Sequence, residues 1–146
     1  MNILISRCLL GEPCRYDGQS KPSEKIEALR RAGHTLIPVC PEVMGGLPTP
    51  RPPAEVQPNG RVVNALGEDV TAQYRLGAEL TLALARREGC ELAVLKAKSP
   101  SCGNRQIYDG TFTRTLVDGR GIAVRLLEQA GIRVINEEEL DQLLGP

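Results

Sequence analysis

The chain alternates short apolar runs with polar stretches punctuated by glycine or proline, and the spacing inside the runs predicts their elements. Residues 2–7 are rich in isoleucine and leucine and end at Cys8, the pattern of a buried strand. A polar loop carrying Gly11, Pro13 and Gly18 follows. Pro22-Ser23-Glu24 then opens a helix that runs to about Ala32, with Ser23 in the N-cap position and Gly33 as its stop. Residues 34–39 read as the next strand and terminate at Cys40-Pro41. Strand, helix and strand in succession predict a βαβ unit, hence a right-handed crossover and parallel pairing.

Six prolines, at 41, 48, 50, 52, 53 and 58, then interrupt the chain, and their missing N–H groups predict a long loop with no helix or sheet interior over 41–58. A loop of that length inside a compact domain is usually functional. Asn59-Gly60, between Val56 and Arg61-Val62-Val63, is a hairpin signal. Asp69-Val70-Thr71 begins a long helix reaching about Glu88. Val70, Tyr74, Gly77, Ala78, Thr81 and Ala85 share one of its faces, and Gly89 stops it. Residues 92–95 read as a third strand running on through Lys96-Ala97-Lys98 into Ser99-Pro100-Ser101-Cys102-Gly103, and a hairpin is expected over 107–117 with its turn at Asp109-Gly110. Residues 121–130 follow a helical period, 132–135 form a fourth strand, and 138–144 a short terminal helix. Together these predict one three-layer α/β domain over residues 1–146, Rossmann-like, with a mostly parallel sheet of about four strands and helices on both faces. Ligands of such sheets bind beyond the carboxyl ends of the strands, near the point where strand order reverses.

Composition narrows the function without naming it. Lys+Arg and Asp+Glu are 18 each, so no global basic field gathers phosphates; aromatics are 3% with no Trp. Both facts argue against stable nucleic-acid binding, whether to a duplex or on a base-stacking platform. The N-terminal apolar run is too short for a signal-peptide core and no segment approaches a membrane span, so the chain reads as cytoplasmic, with no membrane partner. Five cysteines in that setting point to metal or catalytic use rather than to a disulfide framework.

Three of the cysteines occupy equivalent places. Cys8 closes the first strand, Cys40 the second, and Cys102 lies a few residues beyond the third. In a parallel sheet these ends share one rim, with neighbouring strands about 5 Å apart, so the sulfurs can converge. Each is tied to a loop rich in Gly or Pro, whose backbone N–H groups can face anionic sulfur, a control on iron–sulfur potential. Three thiolates without an obvious fourth leave one coordination position open. Structural zinc sites are closed by four Cys or His ligands, usually in Cys-x-x-Cys pairs, which this sequence lacks. His34 opens its strand, at the opposite end from Cys40. A [4Fe–4S] cubane on Cys8, Cys40 and Cys102, with one iron left for substrate, fits better. Cys14 either closes the site as a fourth ligand or is a loop thiol, and Cys90, far from the rim, reads as a small buried apolar residue. The plain alternative for all three rim cysteines is that they pack well at strand ends.

Glu42, two residues beyond Cys40, is placed to activate water or shuttle protons; the alternative is an ordinary solvated loop carboxylate. Ser101, beside Cys102, is placed to donate a hydrogen bond to a reacting heteroatom, or to cap a turn. Arg7, Arg15, Lys96, Lys98 and Arg105 lie near the cysteines in sequence and would lower their pKa values. Asp17 and Arg51 are polar loop residues to which the sequence assigns no role.

Cys8-Leu9-Leu10-Gly11 with Arg15-Tyr16-Asp17-Gly18, then Cys40-Pro41-Glu42-Val43 with Gly45-Gly46-Leu47-Pro48 and Pro50-Arg51-Pro52-Pro53, then Ser99-Pro100-Ser101-Cys102-Gly103 with Tyr108-Asp109-Gly110 resemble the thiouracil desulfidase family, over residues 1–139. The resemblance implies a [4Fe–4S] cluster held by Cys8, Cys40 and Cys102. Its unique iron would take the sulfur of a small-molecule partner, 2-thiouracil or a related thiolated nucleobase, leaving uracil and releasing sulfide with no net redox change. The resemblance also implies Glu42 and Ser101 as the acid/base and hydrogen-bonding pair. Cys14 stands where the family pattern accepts cysteine or an aliphatic residue, which argues against ligation. The chemistry is coherent: a C=S carbon is a poor electrophile, and coordination of its sulfur to an iron Lewis acid polarises it. No Gly-x-Gly-x-x-Gly or phosphate loop offers another cofactor. Two readings of other classes stand beside this one: a closed-site electron-transfer or binding protein with Cys14 as fourth ligand, and a zinc-stabilised interaction module.

Overall fold

Ile3, Leu4 and Ile5 are all fully buried, which successive strand residues achieve only when both faces of their sheet are covered. The computed structural model describes residues 1–18 and 24–144, so the expected Pro22 start and Ser23 cap lie outside the described residues. The elements run β1 (Asn2–Ser6), α1 (Glu24–Arg31), β2 (Thr35–Val39), α2 (Pro41–Met44), β3 (Ala54–Val56), β4 (Val62–Asn64), α3 (Thr71–Arg87), β5 (Leu92–Leu95), β6 (Gln106–Tyr108), β7 (Leu116–Asp118), α4 (Ile122–Gln129), β8 (Arg133–Asn136) and α5 (Asp141–Leu144). Single 3-10 turns follow β1 at Arg7–Leu10 and β8 at Glu137–Glu139.

The central sheet has the order β2-β1-β5-β8 and is parallel at every pairing. Strand alternation sorts its side chains into two cores. Ile3, Ile5, Val94 and Ile135 meet Ile26 and Leu29 of α1 on one face. Leu4, Ala93, Leu95 and Val134 meet Ala85 of α3 with Val124 and Leu127 of α4 on the other. The layers are therefore helix, sheet, helix, as the runs of the sequence require. Two antiparallel hairpins, β3-β4 and β6-β7, stand beside this sandwich. No helix among the described residues is long and apolar enough to cross a membrane.

Two expectations need correction. The proline-rich stretch is not all loop: Pro41 occupies the first turn of α2, where a missing N–H breaks no helical bond, and β3 forms at 54–56 against β4. The β6-β7 hairpin exists with Ile107 opposite Val117, but it does not turn tightly at Asp109-Gly110. Its connection extends over 109–115 because the N–H groups of Gly110 and Phe112 are taken by the Glu55 carboxylate of β3.

Candidate active site

In this strand order β2, β1 and β5 are contiguous, and the chain leaves β1 first to one side and then to the other. The reversal lies at β1/β5, where a ligand crevice is expected. Ser6 and Val39 are register partners, so β1 and β2 end together. Cys8 sits in the 3-10 turn directly after β1, Cys40 caps α2 directly after β2, and Cys102 lies in the turn beyond β5. All three are buried and line one cavity of about 560 Å³, together with Cys14 and Glu42. Cys90 packs in the core beneath α3 and α4, away from the cavity, as read from the sequence. The imidazole Nδ1 of His34 lies 3.1 Å from the Met1 amino group, at the other end of β2.

Three of the cavity thiols, Cys14, Cys40 and Cys102, have raised pKa values. The Cys40 pKa is pushed up by its hydrogen bond with Cys14, then by burial and the Glu42 charge. Burial and the Glu42 charge push Cys102 up as well. At Cys14 a hydrogen bond with Cys40 favours the thiolate, but the bond with Cys8 and burial outweigh it. Cys14 is thus brought against two of the three rim cysteines, closer than its loop position implied.

Glu42 is the hub of the polar side of the cavity. Its Oε2 accepts from Arg51 Nη2 at 2.7 Å, from Arg51 Nε at 3.2 Å and from the Tyr74 hydroxyl at 3.2 Å, while Oε1 accepts from the Ser99 hydroxyl at 3.2 Å. Burial and the Glu42 charge hold the Tyr74 phenol well above its ordinary pKa, so it stays a donor. Arg51 also donates to Cys14 O, Pro48 O and Thr49 Oγ1, tying the proline-rich loop to the cysteine loop. Burial disfavours its charge, but Glu42 outweighs that and its pKa rises. Backbone contact fixes the carboxylate from below. A Cβ on Gly77 of α3 would lie 1.9 Å from Pro41 O, and one on Gly45 would lie 2.0 Å from Gln73 O, so α2 rests directly on the α3 backbone.

The two serines of Ser99-Pro100-Ser101 have different places. Ser99 Oγ accepts the N–H groups of Ser101 and Cys102, at 3.1 and 3.0 Å, which fills its lone pairs and directs its proton to Glu42. Ser101 does not reach Glu42. Its side chain is fully buried and its Oγ finds no hydrogen-bond partner among the described residues, although with Ser6 it is near enough to favour the Cys102 thiolate. Arg7, Arg15, Lys96 and Lys98 line the cavity, but the pKa values of Cys14, Cys40 and Cys102 are raised and not lowered as expected, because burial, hydrogen bonds among the thiols and the Glu42 charge prevail; Arg105 pairs with Glu139 at 2.7 Å outside the cavity. Arg51, Tyr74 and Ser99 are the site residues that sequence reasoning passed over. A lone arginine among prolines was the available signal for the first.

The donor set suits a multi-iron cluster. Soft thiol ligands from separate loops face one cavity, and the Ser101 hydroxyl stands orphaned beside a thiol sulfur, where hydrogen bonding tunes bound clusters. Among the described residues no three His, Cys, Asp or Glu side chains gather around a single-ion position. A cubane makes no such demand, since each ligand binds a different iron.

Comparison with known proteins agrees. Uncharacterized protein YbbK of Bacillus subtilis (strain 168) is 44% identical over 151 residues, covering 97% of this chain and 99% of its own. A solved structure described as the [4Fe-4S]-dependent thiouracil desulfidase TudS is 48% identical, with a TM-score of 0.91, and the match covers 98% of this chain and 95% of that one. The family model for 2-thiouracil desulfurase matches residues 3–139, and with nearly the whole domain inside that match the chain belongs to the 2-thiouracil desulfurase family.

Proposed function

We propose that this protein is a cytoplasmic [4Fe–4S]-dependent thiouracil desulfidase, a single domain over residues 1–146, which exchanges the C=S sulfur of 2-thiouracil or a related thiolated nucleobase for oxygen from water. The observation that carries the reading is the convergence of Cys8, Cys40, Cys102 and Glu42 on one cavity at the carboxyl ends of three contiguous strands. Cys8, Cys40 and Cys102 hold the cluster. When bound, the cluster would supply Lewis acidity towards the substrate sulfur and so make sulfide a better leaving group.

The chain's own residues handle water and protons. Glu42 Oε2 is occupied by three donors, but Oε1 receives only the Ser99 hydroxyl among the described residues, leaving acceptor capacity for a water. Glu42 takes a proton from that water at Oε1 as the oxygen bonds to the carbon. Glu42 then returns that proton to the sulfur, the C–S bond breaks, sulfur departs as hydrosulfide, and the hydroxyl left on the carbon loses its remaining proton to solvent to become the carbonyl. No electrons are gained or lost overall. Arg51 and Tyr74 fix the carboxylate, and Ser99 takes the part that the resemblance implied for Ser101. Ser101 instead donates to the Cys102 sulfur once that sulfur is a ligand.

The test is turnover by anaerobically loaded protein, with uracil and sulfide released in equal amounts from 2-thiouracil. Glu42→Gln is expected to lower kcat about 10²- to 10⁴-fold with cluster content unchanged. The place of Cys14 against Cys8 and Cys40 supports a second reading, a closed four-cysteine site without turnover. Retention of iron and activity in Cys14→Ala selects the first reading, and loss of iron selects the second. Zinc at one equivalent with no labile sulfide would replace both with a structural module.

A further inference from the structure

The chain contains three Tyr, one Phe and no Trp, and all four aromatic residues, Tyr16, Tyr74, Tyr108 and Phe112, line the cysteine cavity. The cores on the two faces of the central sheet are built from aliphatic side chains and cysteines alone. Aromatic surface, scarce in this sequence, is therefore collected at one polar cavity. Tyr74 is accounted for by its bond to Glu42. Phe112 has no polar atom to place and yet stands at the hairpin tip, 38% exposed.

The tip is built to hold it there. Glu55, buried on β3, accepts the N–H of Gly110 at 2.9 Å and of Phe112 at 3.2 Å on the same oxygen, and Gln57 Nε2 donates to Gly110 O at 3.1 Å. The hydroxyls of Thr111, Thr113 and Thr115 bond one to the next at 2.6 and 2.8 Å. Phe112 and Arg114, between them, face the cavity, both with φ of 59°. A bulky L residue in that region is an outlier that the surrounding structure must enforce.

We infer that Phe112 is the residue that stacks on the planar ring of the substrate, with Glu55 as the positioning residue that hangs it over the cavity mouth. This rests on the function proposed above and extends it: the site selects a flat heterocycle and not merely a C=S group. The test uses the full chain, loaded and handled anaerobically, with 2-thiouracil for kinetics and uracil for calorimetric binding. Phe112→Ala is expected to raise both KM and the uracil Kd about 5- to 150-fold, the range of base–aromatic stacking, with kcat and iron content little changed. Phe112→Tyr restores both. Glu55→Ala shifts them in the same direction, and Glu55→Gln, which keeps an acceptor oxygen, recovers them. Wild-type KM and Kd in Phe112→Ala, or a fall confined to kcat, overturns the inference while the proposed function stands. A wild-type protein that neither binds uracil nor turns over 2-thiouracil overturns the function and the inference with it.

Discussion

Replacing Arg51 by Met tests whether the Glu42 hub is held as described. The two side chains are 4% and 12% exposed, so the pair is shielded from water in a way that the surface pair Arg61–Asp69, at 47% and 45%, is not. The substitution strips Glu42 of two N–H donors and leaves Cys14 O, Pro48 O and Thr49 Oγ1 without their guanidinium partner. Breaking a buried pair by removing one member costs about 3–5 kcal/mol, because the surviving charge is stranded, against about 0–1 kcal/mol for an exposed pair. That is a large share of a typical domain's stability of about 5–15 kcal/mol. Anaerobic urea unfolding of Arg51→Met, Glu42→Gln and the double variant measures it. Removing both charges relieves the stranding, so the double variant should be more stable than the sum of the singles implies by about 2 kcal/mol. Additivity within about 0.5 kcal/mol, or a loss in Arg51→Met under about 1 kcal/mol, would refute the reasoning.

Three further outcomes follow from the same geometry. Gly77→Ala drives a methyl to 1.9 Å from Pro41 O and must push α2 off α3; a stability loss of about 1–3 kcal/mol or more, with reduced kcat as Glu42 shifts, is expected in thermal unfolding and kinetics. Ser99→Ala removes the proton aimed at Glu42 and should lower kcat, whereas Ser101→Ala should leave the carboxylate in place and alter the absorption spectrum or potential of the bound cluster; the reverse pattern would assign the roles the other way. Glu139, although burial works against its charge, is held down to a pKa of about 2 by Arg105, Asn104 and the Asn136 N–H. Its folded pKa lies below its unfolded one near 4.5, so the stability it contributes is complete above that value and disappears as pH falls towards 2. Glu139→Gln should therefore cost roughly 2–3 kcal/mol near neutrality and flatten the acid limb of the stability profile between those values.

The central sandwich was legible because fully buried parallel strands leave continuous apolar runs and the helices between them leave a period. The cysteines were legible for a related reason: strand ends can be placed without knowing any side-chain contact. What escaped the sequence depended on contacts between distant loops. Pro41 looked like an obstacle because proline density was counted without asking which proline stood at a helix start. Ser99 and Ser101 flank one proline beside one cysteine, and only the turn geometry decides which hydroxyl meets Glu42. The low aromatic content counts against a nucleic-acid platform, but composition does not show that the four aromatic residues, from positions 16, 74, 108 and 112, converge on one cavity. The tight turn expected at Asp109-Gly110 failed because Glu55, more than fifty residues earlier, claims its N–H groups.

The most direct test of three-cysteine ligation is to determine iron, labile sulfide and uracil release from 2-thiouracil side by side, without oxygen, in the wild type, Cys40→Ser and Cys14→Ala. Three-cysteine ligation predicts a loaded and active wild type, loss of both cluster and turnover in Cys40→Ser, and retention of both in Cys14→Ala. Turnover that survives loss of the cluster in Cys40→Ser would contradict it.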